Sequence, residues 1–250
     1  MALLYVASEA SELKPVAAML TGLRKLRWPV DYAFEGILEG RRIMLAANGA
    51  GPKLAARAVE TAIRAVMVAE LSSSRLEAVI STGYCGALDP NLRECQIVVA
   101  TRVLDCASKE SFDCAAVASD AVFASGLVVS QDRVAMNAAE KQQLCEHEAL
   151  AVDMESAGVA ARAKAAGLPF LCIKVVSDRA DEGFRLDFNR MRSSEGRMAR
   201  GKIGLHAVTH PKLLPELLRL RRRTGDAAKA LGNFLVGCRI NLPSTNSPAQ

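Results

Sequence analysis

Asp178 closes Phe170–Val176, an apolar run that reads as a buried strand, and core packing has no use for a carboxylate there. Desolvation penalises the charged form of such a group, so it can hold a proton near neutral pH and act as a general acid. The same residue, with Ser177, can instead cap the turn at 179–182, and spacing alone does not separate the two readings. Glu155 follows Met154 at a strand-to-helix junction. It can accept hydrogen bonds from a sugar diol, or simply occupy a first turn where the helix dipole favours an acid. Glu9 and Glu12 follow the first strand. One of them can polarise a water, or both can belong to a solvated helical turn. The glycine-rich segments at 49–51 and 83–86 let the backbone approach a ligand, but neither has the spacing of a phosphate-binding loop, and Gly-x-Gly-x-x-Gly is absent. Cys85 reads as a small buried residue and not as a nucleophile, with no histidine close to it in the chain.

The elements that must position these groups alternate along the chain. Residues 2–7 read as a first strand, with Ser8 or Ser11 capping a helix that carries Leu13, Val16, Ala17 and Leu20. Strands at 32–38 and 42–47 flank Glu39-Gly40, a hairpin signal. The turn Asn48-Gly49-Ala50-Gly51-Pro52 leads into a long helix to about Leu71. A short strand at 78–82 runs into a turn at 82–87, and further strands are predicted at 96–101 and 124–130. A helix from Ala138 to His147 precedes 150–154, and another from Glu155 to Ala166 stops at Gly167-Leu168-Pro169. Residues 184–203 read as irregular and 211–237 as helical. This order predicts an α/β single domain with a mixed central β-sheet flanked by α-helices. It spans residues 1–238, with a basic helical segment at 204–238 and a disordered tail at 239–250. Ligands of such sheets gather beyond the carboxyl ends of strands. That directs attention to 8–12, 48–52, 82–87, 130–134, 152–156 and 177–182.

Composition narrows the class. Half of the 250 residues are apolar and only 4% are aromatic, which suits a soluble α/β chain and not a disordered or fibrous one. No apolar run reaches the ~18 residues of a membrane-spanning helix. The N-terminus lacks the basic flank of a signal peptide. The seven cysteines are odd in number and scattered, without a Cys-x-x-Cys pair, so reduced thiols in a cytoplasm are expected. With three histidines at 147, 206 and 210, neither a metal site nor any other cofactor is expected. The net charge of +5 is uneven: residues 185–223 carry eleven Lys or Arg against three Asp or Glu. Within that stretch, residues 212–223 alternate Leu213, Leu214, Leu217, Leu218 and Leu220 with four arginines. Such a helix can make peripheral contact with an anionic membrane, or pack on the domain with a solvated arginine face. Nucleic-acid binding is not expected, because no aromatic platform accompanies the arginines.

Taken together, Ala151-Val152-Asp153-Met154-Glu155-Ser156, Val175-Val176-Ser177-Asp178, the Glu9/Glu12 turn, Asn48-Gly49-Ala50-Gly51 and Ser81-to-Leu88 resemble the nucleoside phosphorylase/nucleosidase superfamily, in its order and spacing across residues 2–182. The resemblance implies cleavage of the N-glycosidic bond of a purine nucleoside. Asp178 matches the acid at N7 of the departing purine. Glu155 matches the carboxylate on the ribose hydroxyls, with Met154 beneath the sugar, and Glu12 matches the base that activates water in hydrolytic members. Gly83, Val134 and Ser177 fall in the substrate pocket, and a homo-oligomer is implied. Ser81 and Tyr84 stand where hexameric phosphorylases carry Arg and Ser, and the first turn is acidic where theirs is basic. Those departures favour water over phosphate, though Arg41, Arg42 or Arg133 remain for phosphate; Asp178 suits a 6-aminopurine, and a 5′-substituted adenosine is the expected substrate. Val134 stands where methylthioadenosine/S-adenosylhomocysteine nucleosidases place an aromatic residue, so the pocket is not a close copy. The segment at 138–141 leading to Ala151–Ser156, with Gly167-Leu168-Pro169-Phe170 and Pro211–Leu220, is similar to the hopanoid-associated phosphorylases. That narrower resemblance implies a lipid-linked nucleoside, adenosylhopane, as an alternative substrate. A binding or membrane-surface protein without turnover is the remaining alternative.

Overall fold

The computed structural model describes residues 1–68, 75–145, 148–193, 197 and 214–240. The far ends of the helices expected to reach Leu71 and His147, most of 194–203, the helix start at 211–213 and the tail from 241 lie outside the described residues. So do His147, His206 and His210.

The chain begins with β1 (Ala2–Ala7), α1 (Ala10–Ala17), β2 (Thr21–Lys25), β3 (Tyr32–Leu38), β4 (Arg41–Ala47) and α2 (Pro52–Val68). It continues through β5 (Leu76–Ala87), β6 (Ile97–Asp105), β7 (Ser111–Asp113), β8 (Val117–Ala118) and β9 (Ala124–Ser130). It then forms α3 (Ala138–Cys145), β10 (Ala151–Asp153), α4 (Ser156–Ala165), β11 (Phe170–Asp178), α5 (Leu214–Gly237) and β12 (Arg239–Ile240). The expected α/β single domain with a mixed sheet is what forms. The strand order is β10-β9-β6-β11-β5-β1-β4-β3-β2, with β7 beside β6. β10 also pairs antiparallel with β5, so β5, β11, β6, β9 and β10 close into a ring.

The alternation of side chains along each strand supplies both faces of this sheet with apolar residues. In β1, Leu4 and Val6 belong to one core cluster with Ala55, Ala58 and Val59 of α2 and Val159 and Ala163 of α4, whereas Leu3 and Tyr5 belong to another with Leu13 and Val16 of α1 and Leu231 and Phe234 of α5. The β3–β4 hairpin turns on Glu39 (φ 48°) and Gly40 (φ 79°), the two positive φ values that a tight hairpin matching strand twist requires.

Several expectations are corrected. The N-cap of α1 is Glu9, not Ser8 or Ser11; its backbone N–H donates to Glu12 Oε2 at 2.6 Å. The segment 82–87 is not a turn but the second half of β5, because β10 and β11 supply it with pairing partners on both sides. Strands β2, β7 and β8 had no apolar signal to announce them; every residue of β2 is exposed. At the head of the expected tail, Arg239–Ile240 pair antiparallel with β8.

The helices α2 and α4 approach closely at Gly158, where a Cβ would lie 2.1 Å from the carbonyl oxygen of Pro52. Backbone cannot yield as a flexible side chain can, so the helices would have to separate. Gly158→Ala should therefore cost about 1–3 kcal/mol and lower the midpoint of thermal unfolding by several degrees, measured by circular dichroism. An unchanged midpoint would show that the α2–α4 contact is looser than described.

Candidate active site

All six segments singled out at strand ends reach one cleft beyond the carboxyl ends of β1, β4, β5, β9, β10 and β11. Its cavity volume is about 190 Å³, below the ~300–1,000 Å³ of pockets for drug-sized ligands. Glu12, Tyr84, Cys85 and Gly86 line it together with Arg133, Val134, Met154, Glu155, Ser177 and Asp178.

Glu12 is buried, 3% exposed. Its Oε1 accepts from the Tyr84 N–H at 2.9 Å and its Oε2 from the Glu9 N–H. Burial, with the Glu155 charge adding to it, pushes the Glu12 carboxyl up to about 8, against those N–H bonds and the Lys174 ammonium. Gly83 makes room for it. With φ +114° its missing Cβ would fall 2.4 Å from Glu12 Oε1, so only glycine fits this position. Gly83 therefore shapes the cleft from behind Glu12 and does not itself line it.

Glu155 stands at the N-cap of α4, and its Oε1 accepts the Gly51 N–H at 2.9 Å. This bond ties the glycine turn after β4 to the end of β10. Burial pushes the Glu155 carboxyl up to about 7, with Lys174 pulling it down and Asp153 pushing it up. Met154 is half-buried beside it on the cleft wall. Ser177 Oγ lies 2.6 Å from Asp178 Oδ1 and 3.2 Å from the Cys85 carbonyl oxygen, to which it donates. The Val134 N–H donates to Asn189 Oδ1, and Asn189 Nδ2 returns a bond to the Val134 carbonyl, so the loops at 131–137 and 183–192 hold each other.

Two lysines were not singled out from the sequence. Lys141, fully buried on α3, places Nζ 2.5 Å from Asp178 Oδ2 and also donates to the Arg179 carbonyl. Lys174 lies wholly inside the sheet, with Nζ 2.7 Å from Asp153 Oδ2 and 3.1 Å from the Thr82 carbonyl oxygen. Burial works against its ammonium, but Asp153, Cys172 and Glu155 outweigh that and hold it above the usual lysine range. A lysine inside a strand that otherwise reads Phe-Leu-Cys-Ile and Val-Val was the available signal, since a cation there demands an anionic partner.

Glu9 turns its backbone toward Glu12, and its side chain does not line the cleft. Arg41 and Arg42 sit at the far end of β4, bound to Glu77 and Glu35, and so are not at hand for an anion in the cleft. Arg133 does line it, in an ion pair with Glu140. Arg192 bridges Asp132 Oδ1 at 2.7 Å and the Ala50 carbonyl oxygen at 3.2 Å.

A second groove meets the cleft at Phe184, between residues 182–188 and the first turns of α5. Leu217 and Leu220 line it, and Arg223 turns inward to Glu94 and Glu182 and to the Ser177 carbonyl oxygen at 3.0 Å. Of the leucines expected on an exposed apolar face, Leu218 is 57% exposed, while Leu213 and the Leu214 side chain lie outside the described residues. Among the described residues no helix is long and apolar enough to cross a membrane.

A model of the phosphorylase superfamily matches residues 3–124 and 104–200. No curated protein matches the chain. Among solved structures, the 5′-methylthioadenosine/S-adenosylhomocysteine nucleosidase of Neisseria meningitidis, in complex with methylthio-immucillin-A, is 20% identical with a TM-score of 0.69, covering 94% of this chain and 97% of that one. The corresponding nucleosidase of S. pneumoniae is 18% identical with a TM-score of 0.68, covering 95% and 97%. A futalosine hydrolase mutant of Helicobacter pylori is 15% identical with a TM-score of 0.68, covering 94% and 96%. At these identities the likeness is one of fold.

Removing one partner of the Lys174–Asp153 pair strands a charge in the sheet. Lys174→Met should destabilise the protein by about 3–5 kcal/mol, read from urea unfolding at pH 7. A loss within experimental error would mean that water or a rearranged side chain solvates Asp153.

Proposed function

Because the chain belongs to the phosphorylase superfamily, we propose that it cleaves the N-glycosidic bond of a 5′-substituted adenosine and releases adenine, with water as the nucleophile. The observation that carries this reading is the grouping of Glu12, Glu155 and Asp178 on the walls of one cleft. Each offers what an oxocarbenium-like transition state needs: a base, a grip on the sugar and an acid for the leaving purine. Asp178 donates a proton to N7 as the N9–C1′ bond breaks and its electron pair passes to the purine. Glu155 accepts hydrogen bonds from the ribose hydroxyls, with Met154 under the ring, and Glu12 takes the proton of the attacking water. Ser177 orients the Asp178 carboxyl, while Val134 and Gly83 shape the pocket. No residue of the cleft calls for a cofactor. The named activities of the structural neighbours, two nucleosidases and a futalosine hydrolase, support hydrolysis.

A second reading, phosphorolysis, is favoured by one observation, the presence of Arg133 on the cleft wall. Its ion pair with Glu140 weighs against its serving phosphate. The groove meeting the cleft at Phe184 leaves room for a 5′ substituent larger than methylthio, as a lipid-linked hopanoid-pathway nucleoside would need. Peripheral membrane contact through 212–223 would suit such a substrate, although the inward turn of Arg223 supports a helix packed on the domain. A cytoplasmic homo-oligomer that takes a small nucleoside and no nucleic acid remains the expected setting.

Purified protein should release adenine from methylthioadenosine or a 5′-alkyl adenosine without added phosphate, as followed by chromatography. Asp178→Asn should lower kcat/KM by about 10²–10⁴-fold. A requirement for phosphate would replace hydrolysis by phosphorolysis, and no adenine under any condition would overturn the enzymatic reading. A further outcome concerns pH. Glu12 must be ionised to accept a proton and is pushed up to about 8, so the acid limb of the kcat/KM profile should rise with pH through about that value. A plateau already reached at pH 6 would exclude Glu12 as the base.

A further inference from the structure

The helix α3 contributes one fully buried side chain to the molecule, and it is a lysine. Its carboxylate partner, Asp178, lies on another element 37 residues away. Gly86 leaves the space the pair needs: a Cβ there would come within 3.0 Å of Asp178 Oδ2 and 3.6 Å of Lys141 Cε. The start of α3 is fixed by the Glu140 N–H on Asn137 Oδ1 at 2.9 Å and by Glu140 on Arg133 and the Met136 N–H. A buried ion pair is weak support for stability, since desolvation of both ions offsets their attraction. The placement has a better use in proton transfer.

We propose that Lys141 is the proton source behind Asp178: its ammonium holds the carboxylate and supplies the proton that the leaving purine takes up at N7. The assignment rests on the glycoside-cleavage reading above. As the N9–C1′ bond breaks, N9 keeps the bonding pair, a proton passes from Lys141 Nζ to Asp178 Oδ2, and the Asp178 carboxyl gives a proton to N7, which restores the carboxylate. The lysine is left as a neutral amine and takes a proton back from solvent when adenine leaves. Lys141 touches no reacting atom, so it is a positioning residue acting through Asp178.

The pair is ringed by other charged and titratable groups. Asp181 and Glu182, in the turn after β11, face the ammonium, while Arg223 of α5 and Cys85 of β5 face Asp178. Arg223 already carries charge into that turn through the Ser177 carbonyl and Glu182, so the carboxylate keeps a cation near it after Lys141 has given up its proton.

The test compares wild type, Lys141→Met and Lys141→Arg on 5′-methylthioadenosine across pH. An arginine retains the charge but does not give up a proton near neutral pH. Both variants should therefore keep KM within about threefold while kcat falls about 100-fold or more. The alkaline limb of the kcat profile should move to lower pH in both, because the proton is then held by the carboxyl alone. If Lys141→Arg restores kcat and the wild-type limb, a fixed positive charge suffices, no proton comes from the lysine, and the proposal is overturned. Unchanged kcat in Lys141→Met overturns it as well. Should Lys141→Met fail to fold, the pH profile of Lys141→Arg decides alone. Wild type that releases no adenine would instead sink the reaction itself, an outcome separate from failure of the lysine assignment.

Discussion

Four carboxylates, Glu12, Asp153, Glu155 and Asp178, are buried at one end of a single sheet, and the architecture around them answers that concentration of charge. An isolated buried carboxylate is too costly to keep ionised. Here each is answered differently. Asp153 has Lys174 at 2.7 Å and two bonds from Ser156, and Asp178 has Lys141. Glu12 and Glu155 have backbone N–H donors and the more distant field of Lys174. The acids that face an ammonium and those that rest on N–H donors thus divide into different chemical tasks. A carboxylate that rests on N–H groups alone, with another acid nearby, keeps an affinity for protons that a base working on water can use.

The ring of β5, β11, β6, β9 and β10 makes this arrangement possible. Because β5 pairs with β1, β11 and β10, it gathers the ends of three strands around Tyr84–Gly86. Glu12 arrives from β1, Glu155 from β10 and Asp178 from β11. Residues more than a hundred positions apart in the chain therefore share one cleft. Apolar side chains on both faces of the sheet, with α2 and α4 on one and α1 and α5 on the other, keep water from the buried charges behind it.

Much of this was legible in the residues. The apolar runs of β1, β4, β9 and β11 fall where alternation and turn residues put them, and the strand-end rule pointed to most of the cleft, though not to Ala135, Lys141 or Phe184. Three kinds of feature were hidden. Strands with no buried face, such as β2, form by pairing to a neighbour and leave no hydrophobic pattern. The glycines at 83 and 86 read as a turn by composition, yet their lack of side chains serves Glu12 and the Lys141–Asp178 pair inside a continuous strand. Lys141 looked like any polar residue of a surface helix, because its burial is decided by where α3 docks and not by its neighbours in sequence. Lys174 was the exception: a lone cation in an apolar strand was visible, but its partner was not.

The C-terminal helix α5 bears on how the molecule comes into being. The Tyr84 hydroxyl donates to the Thr224 carbonyl, and Arg223 grips the Ser177 carbonyl beside Asp178. A ribosome releasing this chain would deliver Glu12, Glu155 and Asp178 well before residues 223 and 224 emerge. The acid-bearing turn would wait, built but not yet braced, for the last helix to settle across α1. Competence would then follow the emergence of α5, and a chain cut short before α5 would carry the acids of the cleft without the brace that holds them in register.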